Sequence, residues 1–150
     1  MEASIEDAER ILDLQKLAFQ READLYGDYD IAPLKQTLDE IRAEFKTHVF
    51  LNAVDAGEIV GTVRAYEKEG TCYIGRLAVV ANTQNLGIGT TLMKAIEGCF
   101  KPKRFELFVG SKSEKNKHLY QKLGYSFFKK KPYGCGSAIE IFYMEKNLKS

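Results

Sequence analysis

The stretch with the clearest chemical potential is a glycine-containing loop that leads into a helix. Residues 77–97 read LAVVANTQNLGIGTTLMKAIE, which indicates a strand, a polar loop, Gly87-Ile88-Gly89 and an amphipathic helix. Two glycines let the backbone approach a ligand closely, and a helix N-terminus presents unpaired N–H groups and a partial positive charge. Together these features favour binding of a phosphate group. The same letters also fit a turn whose glycines only cap the helix.

Two common nucleotide-binding motifs do not fit this loop. The dinucleotide pattern G-x-G-x-x-G fails because Leu92 stands at the third glycine position, and the loop is longer than a tight strand-to-helix turn. The pattern G-x-x-x-x-G-K-[ST] is absent from the chain. A phosphate bound here would therefore belong to a different kind of ligand.

The loop resembles the Q/R-x-x-G-x-G/A acetyl-CoA motif of the GNAT N-acetyltransferase superfamily, which residues 84–89, QNLGIG, match in full. A strand ending in LAV precedes the motif, and an amphipathic helix follows it. Residues 119–125, LYQKLGY, are similar to the LYxKLGF segment of the same family. The two motifs occur in the family's order and at its usual separation, and the resemblance covers about residues 6–146.

The resemblance implies an N-acetyltransferase that uses acetyl-CoA as co-substrate, without a metal, and whose acceptor amine attacks the thioester directly in a ternary complex. It assigns the CoA pyrophosphate to backbone N–H groups of Gln84, Asn85, Leu86, Gly87, Ile88, Gly89 and Thr90. It assigns the pantetheine arm to Leu77, Ala78 and Val79, where one N–H faces the thioester carbonyl. Tyr120 matches the general acid, since a phenol with a pKa near about 10 holds its proton for the departing thiolate.

Two positions depart from the family pattern. An asparagine is common seven residues before the tyrosine, but Ser113 stands there, and Asn116 lies on the same helix face as Tyr120. Either Ser113 or Asn116 is predicted to contact the pantetheine. Tyr73 occupies the place where some members carry a carboxylate base, so Glu67, Glu69 or a water chain would have to accept the amine proton.

The acceptor is implied to be a small-molecule or peptide amine, but two features disagree about its charge. Residues 22–30 contain four carboxylates and two tyrosines, which suits a cationic amine or else a hydrated turn. Arg64 and Arg76 could instead bind a carboxylate if they point inward. The sequence leaves both alternatives open.

The elements that position these residues are predicted from periodicity and turn residues. We expect an α/β fold with a mixed sheet, helices on both faces and the order ααβββαβαββ. Ser113 is predicted to cap the last helix with its hydroxyl, and Gly124 to end that helix in the left-handed conformation. The predicted helices are residues 6–26, a single helix from Pro33 that carries Leu34, Leu38, Ile41 and Phe45, residues 89–99 and residues 113–123. The predicted strands are residues 49–54, 59–66, 71–80, 104–109, 125–129 and 138–144.

Composition bounds the remaining function classes. A chain of 150 residues predicts one domain over residues 1–150, and a net charge of +1 argues against nucleic-acid and membrane binding. Three cysteines without a C-x-x-C pair and an acidic N-terminus without an apolar run predict a reduced, cytoplasmic protein and no metal site. The competing class is a non-catalytic acyl-CoA-binding sensor or interaction module. A homodimer through an edge strand is compatible with the family.

Overall fold

The computed structural model describes residues 2–80, 87–132 and 139–148. After a single 3-10 turn at Ile5–Asp7, the helices are α1 Ala8–Tyr26, α2 Ala32–Lys35, α3 Leu38–Glu44, α4 Ile88–Glu97 and α5 Glu114–Lys122. The strands are β1 Val49–Asp55, β2 Glu58–Lys68, β3 Thr71–Val79, β4 Arg104–Gly110, β5 Ser126–Pro132 and β6 Glu140–Asn147. The strands lie where turn residues and alternating apolar residues predicted them. None of the helices in the described part of the chain has the length and apolar character that crossing a membrane requires.

The strands form one six-stranded sheet in the order β1-β2-β3-β4-β6-β5. The antiparallel meander β1-β2-β3 and the antiparallel group β4-β6-β5 meet at β3 and β4, which run parallel. The predicted α/β class with a mixed sheet is therefore confirmed. Strands β1 and β5 are the edges, and the homodimer through an edge strand stays a prediction.

Helices cover both faces of this sheet, as the order of the elements predicted. Successive side chains of a strand point to opposite faces. Phe50 packs with Ile11 of α1 and Ile41 of α3, whereas Leu51 belongs to the core formed with Met93 and its neighbours on α4. The sheet therefore holds α1 and α3 on one face and α4 on the other.

The predicted second helix is wrong in one respect, because it is two short helices. Gln36 has extended backbone angles (φ −61°, ψ 135°) between α2 and α3. Thr37 then starts a new helix with a capping box: its hydroxyl accepts from the Glu40 N–H (3.2 Å), and its own N–H donates to the Glu40 carboxylate (2.8 Å). The extended backbone of Gln36 ends α2, and the Gln36 side chain reaches the sheet, where it contacts Arg64 of β2.

Of the two predictions for the ends of α5, the one for the C-terminus is confirmed and the one for the N-terminus is wrong. Gly124 has a φ of +100°, and the Tyr125 N–H bonds to the Tyr120 carbonyl (3.0 Å), so the predicted helix stop is confirmed. Ser113 occupies the N-cap position, but its hydroxyl makes no capping bond and donates instead to Glu22 of α1. The predicted capping role of the Ser113 hydroxyl is wrong, because the side chain is directed at Glu22 of α1, to which it donates, and accepts no hydrogen bond from an N–H of the first turn of α5.

The packing of α4 on β2 depends on a missing side chain at Gly61. A Cβ there would lie 2.8 Å from Leu92 Cδ1 and 3.0 Å from Ile88 Cγ2, and Leu92 is buried. We expect Gly61→Ala to lower the free energy of unfolding by about 1–3 kcal/mol, as overpacking does. Gly75→Ala is the matched control, since a Cβ there meets no atom of the described residues within 4 Å. Denaturant unfolding measures both, and equal stability of the two variants would contradict this account of the packing.

Candidate active site

The site begins where the two central strands part. β3 and β4 pair only from Thr71–Arg104 to Tyr73–Glu106, while β3 stays paired with β2 as far as Val79. The β4-facing edge of β3 is therefore free of strand pairing over its last residues. A cleft of about 520 Å³ lies there, between α1, the N-terminus of α4 and the start of α5. An extended ligand segment can hydrogen-bond to such an open edge as an added strand would.

Most of the predicted binding residues in the described part of the chain come together in this cleft. The predicted residues that line it are Leu77, Ala78, Val79, Gly87, Gly89, Thr90, Ser113 and Asn116. Ile88 does not line it and packs its side chain against the core, although its N–H belongs to the first turn of α4. Gln84, Asn85 and Leu86 lie outside the described residues.

The N-terminus of α4 borders the cleft without a side-chain cap. Gly87 precedes the helix with a φ of +75°, a left-handed conformation that glycine adopts without strain. Because Gly87 has no side chain, it cannot cap the N–H groups of the first turn, which lie at the wall of the cleft. A Cβ on Gly87 would meet no atom of the described residues within 4 Å.

The end of β3 presents its backbone to the cleft. The Val80 N–H bonds to the Val60 carbonyl of β2 (2.9 Å), and peptide groups alternate in direction along a strand. Consistent with this alternation, the Val79 carbonyl accepts a hydrogen bond from Nη2 of Arg21 on α1 (3.0 Å). Sequence reasoning missed Arg21, since an arginine in an amphipathic helix gives no local signal of such a contact.

One carboxylate of α1 joins the cleft to α5. Glu22 accepts a hydrogen bond of 2.5 Å from the Ser113 hydroxyl and a longer one of 3.5 Å from Asn116 Nδ2. The other carboxylates of residues 22–30 do not line the cleft: Asp24 accepts from exposed Tyr29 (2.6 Å), and Asp30 pairs with Lys35 (3.5 Å) at the surface. Apart from Glu22, this segment fits the hydrated turn rather than an acidic wall.

Tyr120 lies behind the cleft rather than on its wall. It is buried, with its ring edge-on to Tyr125 at 6.1 Å between centroids. Burial raises the pKa of Tyr120 above its usual range, and the negative charge of Glu22 raises it further. The phenol therefore stays protonated well above neutral pH. The preceding residue of α5, Leu119, lines the cleft.

A second cavity of about 340 Å³ adjoins residues 73–76 of β3. Arg64 and Arg76 both line it, and we call it the arginine cavity. Glu67 and Glu69 lie at the far end of β3, beside the turn to β2. Glu67 faces Cys72, and Glu69 lies just before Thr71, so five to six residues of β3 separate them from Leu77 at the cleft, roughly 17–20 Å at about 3.3 Å per residue. Neither of them is therefore placed to accept a proton from an acceptor amine.

The thiols and metal-binding residues add no further site in the parts of the chain that the structure describes. Those residues contain no group of three or more His, Cys, Asp or Glu side chains placed to hold a metal ion. Cys72 is buried, which raises the pKa of its thiol to about 12, and Cys99 is free and exposed. Cys135 lies outside the described residues.

A mixed sheet that opens between its two central parallel strands, beside a helix N-terminus, defines the acyl-CoA N-acyltransferase class. The model of the Acetyltransferase (GNAT) family matches residues 8–125. The chain therefore belongs to this family and is an enzyme, an acetyl-CoA-dependent N-acetyltransferase. No curated protein is matched by the sequence.

Solved structures share the fold over nearly the whole chain. The PaiA N-acetyltransferase from Thermoplasma acidophilum, solved with coenzyme A, is 19% identical with a TM-score of 0.82, covering 99% of this chain and 97% of that one. A GNAT-family acetyltransferase from Streptococcus pneumoniae is 22% identical with a TM-score of 0.75, covering 99% and 98%. A ribosomal-protein-alanine N-acetyltransferase from Brucella melitensis is 17% identical with a TM-score of 0.78, covering 99% and 98%.

Proposed function

We propose that this enzyme transfers an acetyl group from acetyl-CoA to a primary amine by direct attack within a ternary complex. The observation that carries the proposal is the free edge of β3 beyond Tyr73, which lies beside the open N-terminus of α4. The free edge of β3 can hydrogen-bond to an extended amide-containing arm, and the N-terminus of α4 can bind phosphate. CoA contains both groups, and a similarly folded N-acetyltransferase was solved with coenzyme A.

In this proposal, different residues of the cleft bind different parts of acetyl-CoA. The backbone of Gly87, Ile88, Gly89 and Thr90 receives the pyrophosphate, together with residues 84–86, which lie outside the described residues. The backbone of residues 77–79 lies along the pantetheine arm, with one N–H directed at the thioester oxygen. Ser113 and Asn116 supply polar contacts from α5, for which they exchange part of their bonding to Glu22.

Tyr120 serves as the general acid. Burial raises the pKa of Tyr120, so the phenol carries a proton at neutral pH. Attack of the amine forms the C–N bond and breaks the C–S bond, and Tyr120 then gives its proton to the sulfur. Overall, an ammonium and a thioester become an amide, a thiol and one released proton. Glu22 receives the amine proton in this proposal, because it lines the cleft and accepts a hydrogen bond there from Ser113.

Residues 1–150 act as one domain in this proposal, and the reaction takes place in the cytoplasm. The sheet supports a single domain because it takes its strands from residues 49–147 and its covering helices from both sides of β3. The free thiols of Cys72 and Cys99 support a reducing compartment.

The phosphate-binding step is tested at Gly87. Valine there would have to adopt a φ of +75°, which β-branched residues avoid, and its side chain would enter the space in front of α4. We expect Gly87→Val to weaken acetyl-CoA binding by about tenfold or more, measured by calorimetric titration, because interactions of the helix terminus with an anion act over short range.

Gly57→Val is the matched control for Gly87→Val. Gly57 has a φ of +81° and no described atom near its Cβ position, but it lies in the turn between β1 and β2 and does not line the cleft. Both variants should lose similar stability, and only the Gly87 variant should lose affinity for acetyl-CoA. Equal affinity in the two variants would contradict the assignment of the pyrophosphate site.

The transfer itself is tested by release of CoA thiol with a panel of amines, read against a sample without acceptor because exposed Cys99 also reacts with thiol reagents. Amine-dependent thiol release and formation of the acetylated amine are expected. Binding of acetyl-CoA without turnover for any amine would overturn the proposal and favour a non-catalytic acyl-CoA-binding module.

A further inference from the structure

The arginine cavity lies on the face of the sheet that carries α1 and α3. The Arg64 guanidinium is stacked over Phe50, whose ring packs against these helices, with 5.1 Å from its central carbon to the ring centroid. Residues 73–76 of β3 border this cavity, and the next three residues of the strand border the cleft. A molecule bound in the arginine cavity would therefore lie directly beside the part of β3 assigned to the thioester.

Two guanidinium groups meet in this cavity around one amide oxygen. Arg64, whose side chain is only 4% exposed, donates to Gln36 Oε1 (2.7 Å) and pairs with Glu44 through Nε (2.9 Å). Arg76 donates to the same Gln36 oxygen at 3.4 Å. The break between α2 and α3 is what directs Gln36 to this point. Burial lowers the pKa of Arg64 to about 10, and the charge of Arg76 adds to that effect, so the two cations are close.

The carboxylates that border the cavity are already engaged by arginines. Glu44 is paired with Arg64, and Glu106 is paired with Arg104 at 2.9 Å. Glu40, which interacts electrostatically with Arg76, is fully exposed and caps α3 through Thr37. A cationic ligand in this cavity would approach two buried or half-buried guanidinium groups, whereas an anionic ligand would be attracted by them.

The backbone conformation at Arg76 indicates that the sheet fixes the direction of the Arg76 side chain. Between Gly75 and Ala78, β3 contains one residue more than the facing segment of β2, which is a β-bulge. Within that bulge Arg76 has a φ of +55°, a conformation that costs a residue other than glycine about 1–2 kcal/mol. Bulges redirect side chains next to active sites, and strained residues of this kind cluster there. Here the bulge turns the Arg76 side chain into the cavity.

Aromatic rings form the remaining walls. Tyr66 and Tyr73 are stacked with 5.1 Å between ring centroids, and Phe108 and Tyr143 lie 5.8 Å apart. All four rings line the cavity, and Tyr66 and Phe108 are more than a third exposed. Exposed aromatic surface beside a cavity favours a flat apolar group in the ligand.

We propose that the arginine cavity binds the acceptor, and that the acceptor is an amino acid with an aromatic side chain. Its carboxylate bonds to the half-buried Arg76 guanidinium, beside the buried Arg64 that holds Gln36 and Glu44, its ring packs among the four aromatic rings, and its amine points along β3 towards the cleft. This inference rests on the proposed acetyl transfer, which would convert the amino acid and acetyl-CoA into the N-acetylamino acid, CoA thiol and a proton.

The test uses pairs of acceptors that differ only in the carboxylate: phenylalanine with phenethylamine, and tyrosine with tyramine. We expect kcat/KM for the amino acid to exceed that for the matched amine by at least about tenfold, as one charge-assisted hydrogen bond is worth about 1.5–3 kcal/mol. In Arg76→Asn, in which asparagine tolerates a positive φ, this preference should fall below about twofold, because kcat/KM for the amino acid drops much further than kcat/KM for the matched amine. Arg42→Asn, at an exposed ion pair, is the control and should retain the preference.

A binding measurement separates this inference from the proposed reaction. N-acetylphenylalanine and N-acetylphenethylamine are titrated into the CoA-loaded protein, and only the former should bind in a way that depends on Arg76. That result without any acetyl transfer would support the site and overturn the reaction. Transfer to phenethylamine or spermidine at the rate found for phenylalanine, or an equal loss for both members of a pair in Arg76→Asn, would support the reaction and overturn the site.

Discussion

Replacing Tyr120 by phenylalanine is expected to lower kcat by about 10²- to 10⁴-fold, the usual contribution of a positioned general acid. The substitution removes only the hydroxyl and keeps the buried ring that packs against Tyr125. The dissociation constant for acetyl-CoA should be unchanged, because Tyr120 does not line the cleft. Steady-state kinetics and calorimetric titration on the same preparation measure the two quantities.

Tyr125→Phe is the matched control for the Tyr120 variant. Tyr125 is also buried, but its hydroxyl donates to Glu97 at 2.6 Å on the side of α4 away from the first turn. Loss of this bond should lower the free energy of unfolding by about 1–3 kcal/mol and leave kcat within a factor of about three. If Tyr120→Phe also leaves kcat within that factor, Tyr120 is a core residue and not the acid.

The largest expected loss of stability follows removal of the Arg64 guanidinium. Arg64→Met leaves Glu44 and Gln36 without their central donor, and Arg64 is almost fully buried. Loss of one member of a buried ion pair costs about 3–5 kcal/mol. We expect the free energy of unfolding to fall by about 3 kcal/mol, at the low end, because Glu44 is 25% exposed and water can still reach it.

Two further variants separate the ion pair from the loss of packing. Arg42→Met removes an exposed pair with Asp39 and should change stability by no more than about 0.5 kcal/mol. The double variant Arg64→Met/Glu44→Leu should be more stable than Arg64→Met alone, since no carboxylate is then left without its cation. Chemical denaturation gives the free energy of unfolding of the wild type and of the three variants. A double variant less stable than Arg64→Met would show that lost packing, and not the unpaired carboxylate, accounts for most of the destabilisation.

Much of the fold could be predicted because its signals are local. Alternating apolar residues and the turns at Gly57 and Gly70 indicated β1, β2 and β3, and Gly124 indicated the end of α5. The break at Gln36 was missed although its signal was present: Thr37 and Glu40 form a capping box that starts a new helix. Apolar spacing at Leu34, Leu38 and Ile41 continued through the break and concealed it.

The sequence by itself determined the family and indicated the segment that we propose to bind phosphate. Both depend on short segments, Gly87 to Thr90 and residues 119–125, whose backbone conformation follows from neighbouring residues. Only the tertiary structure decided which side chains from distant parts of the chain meet at the cleft and at the arginine cavity. Ser113 and Glu22 are 91 positions apart in the chain, and Arg64 meets Gln36 across 28. Such contacts are set by how helices pack on a twisted sheet and by the one-residue bulge at Arg76, and no local propensity encodes them.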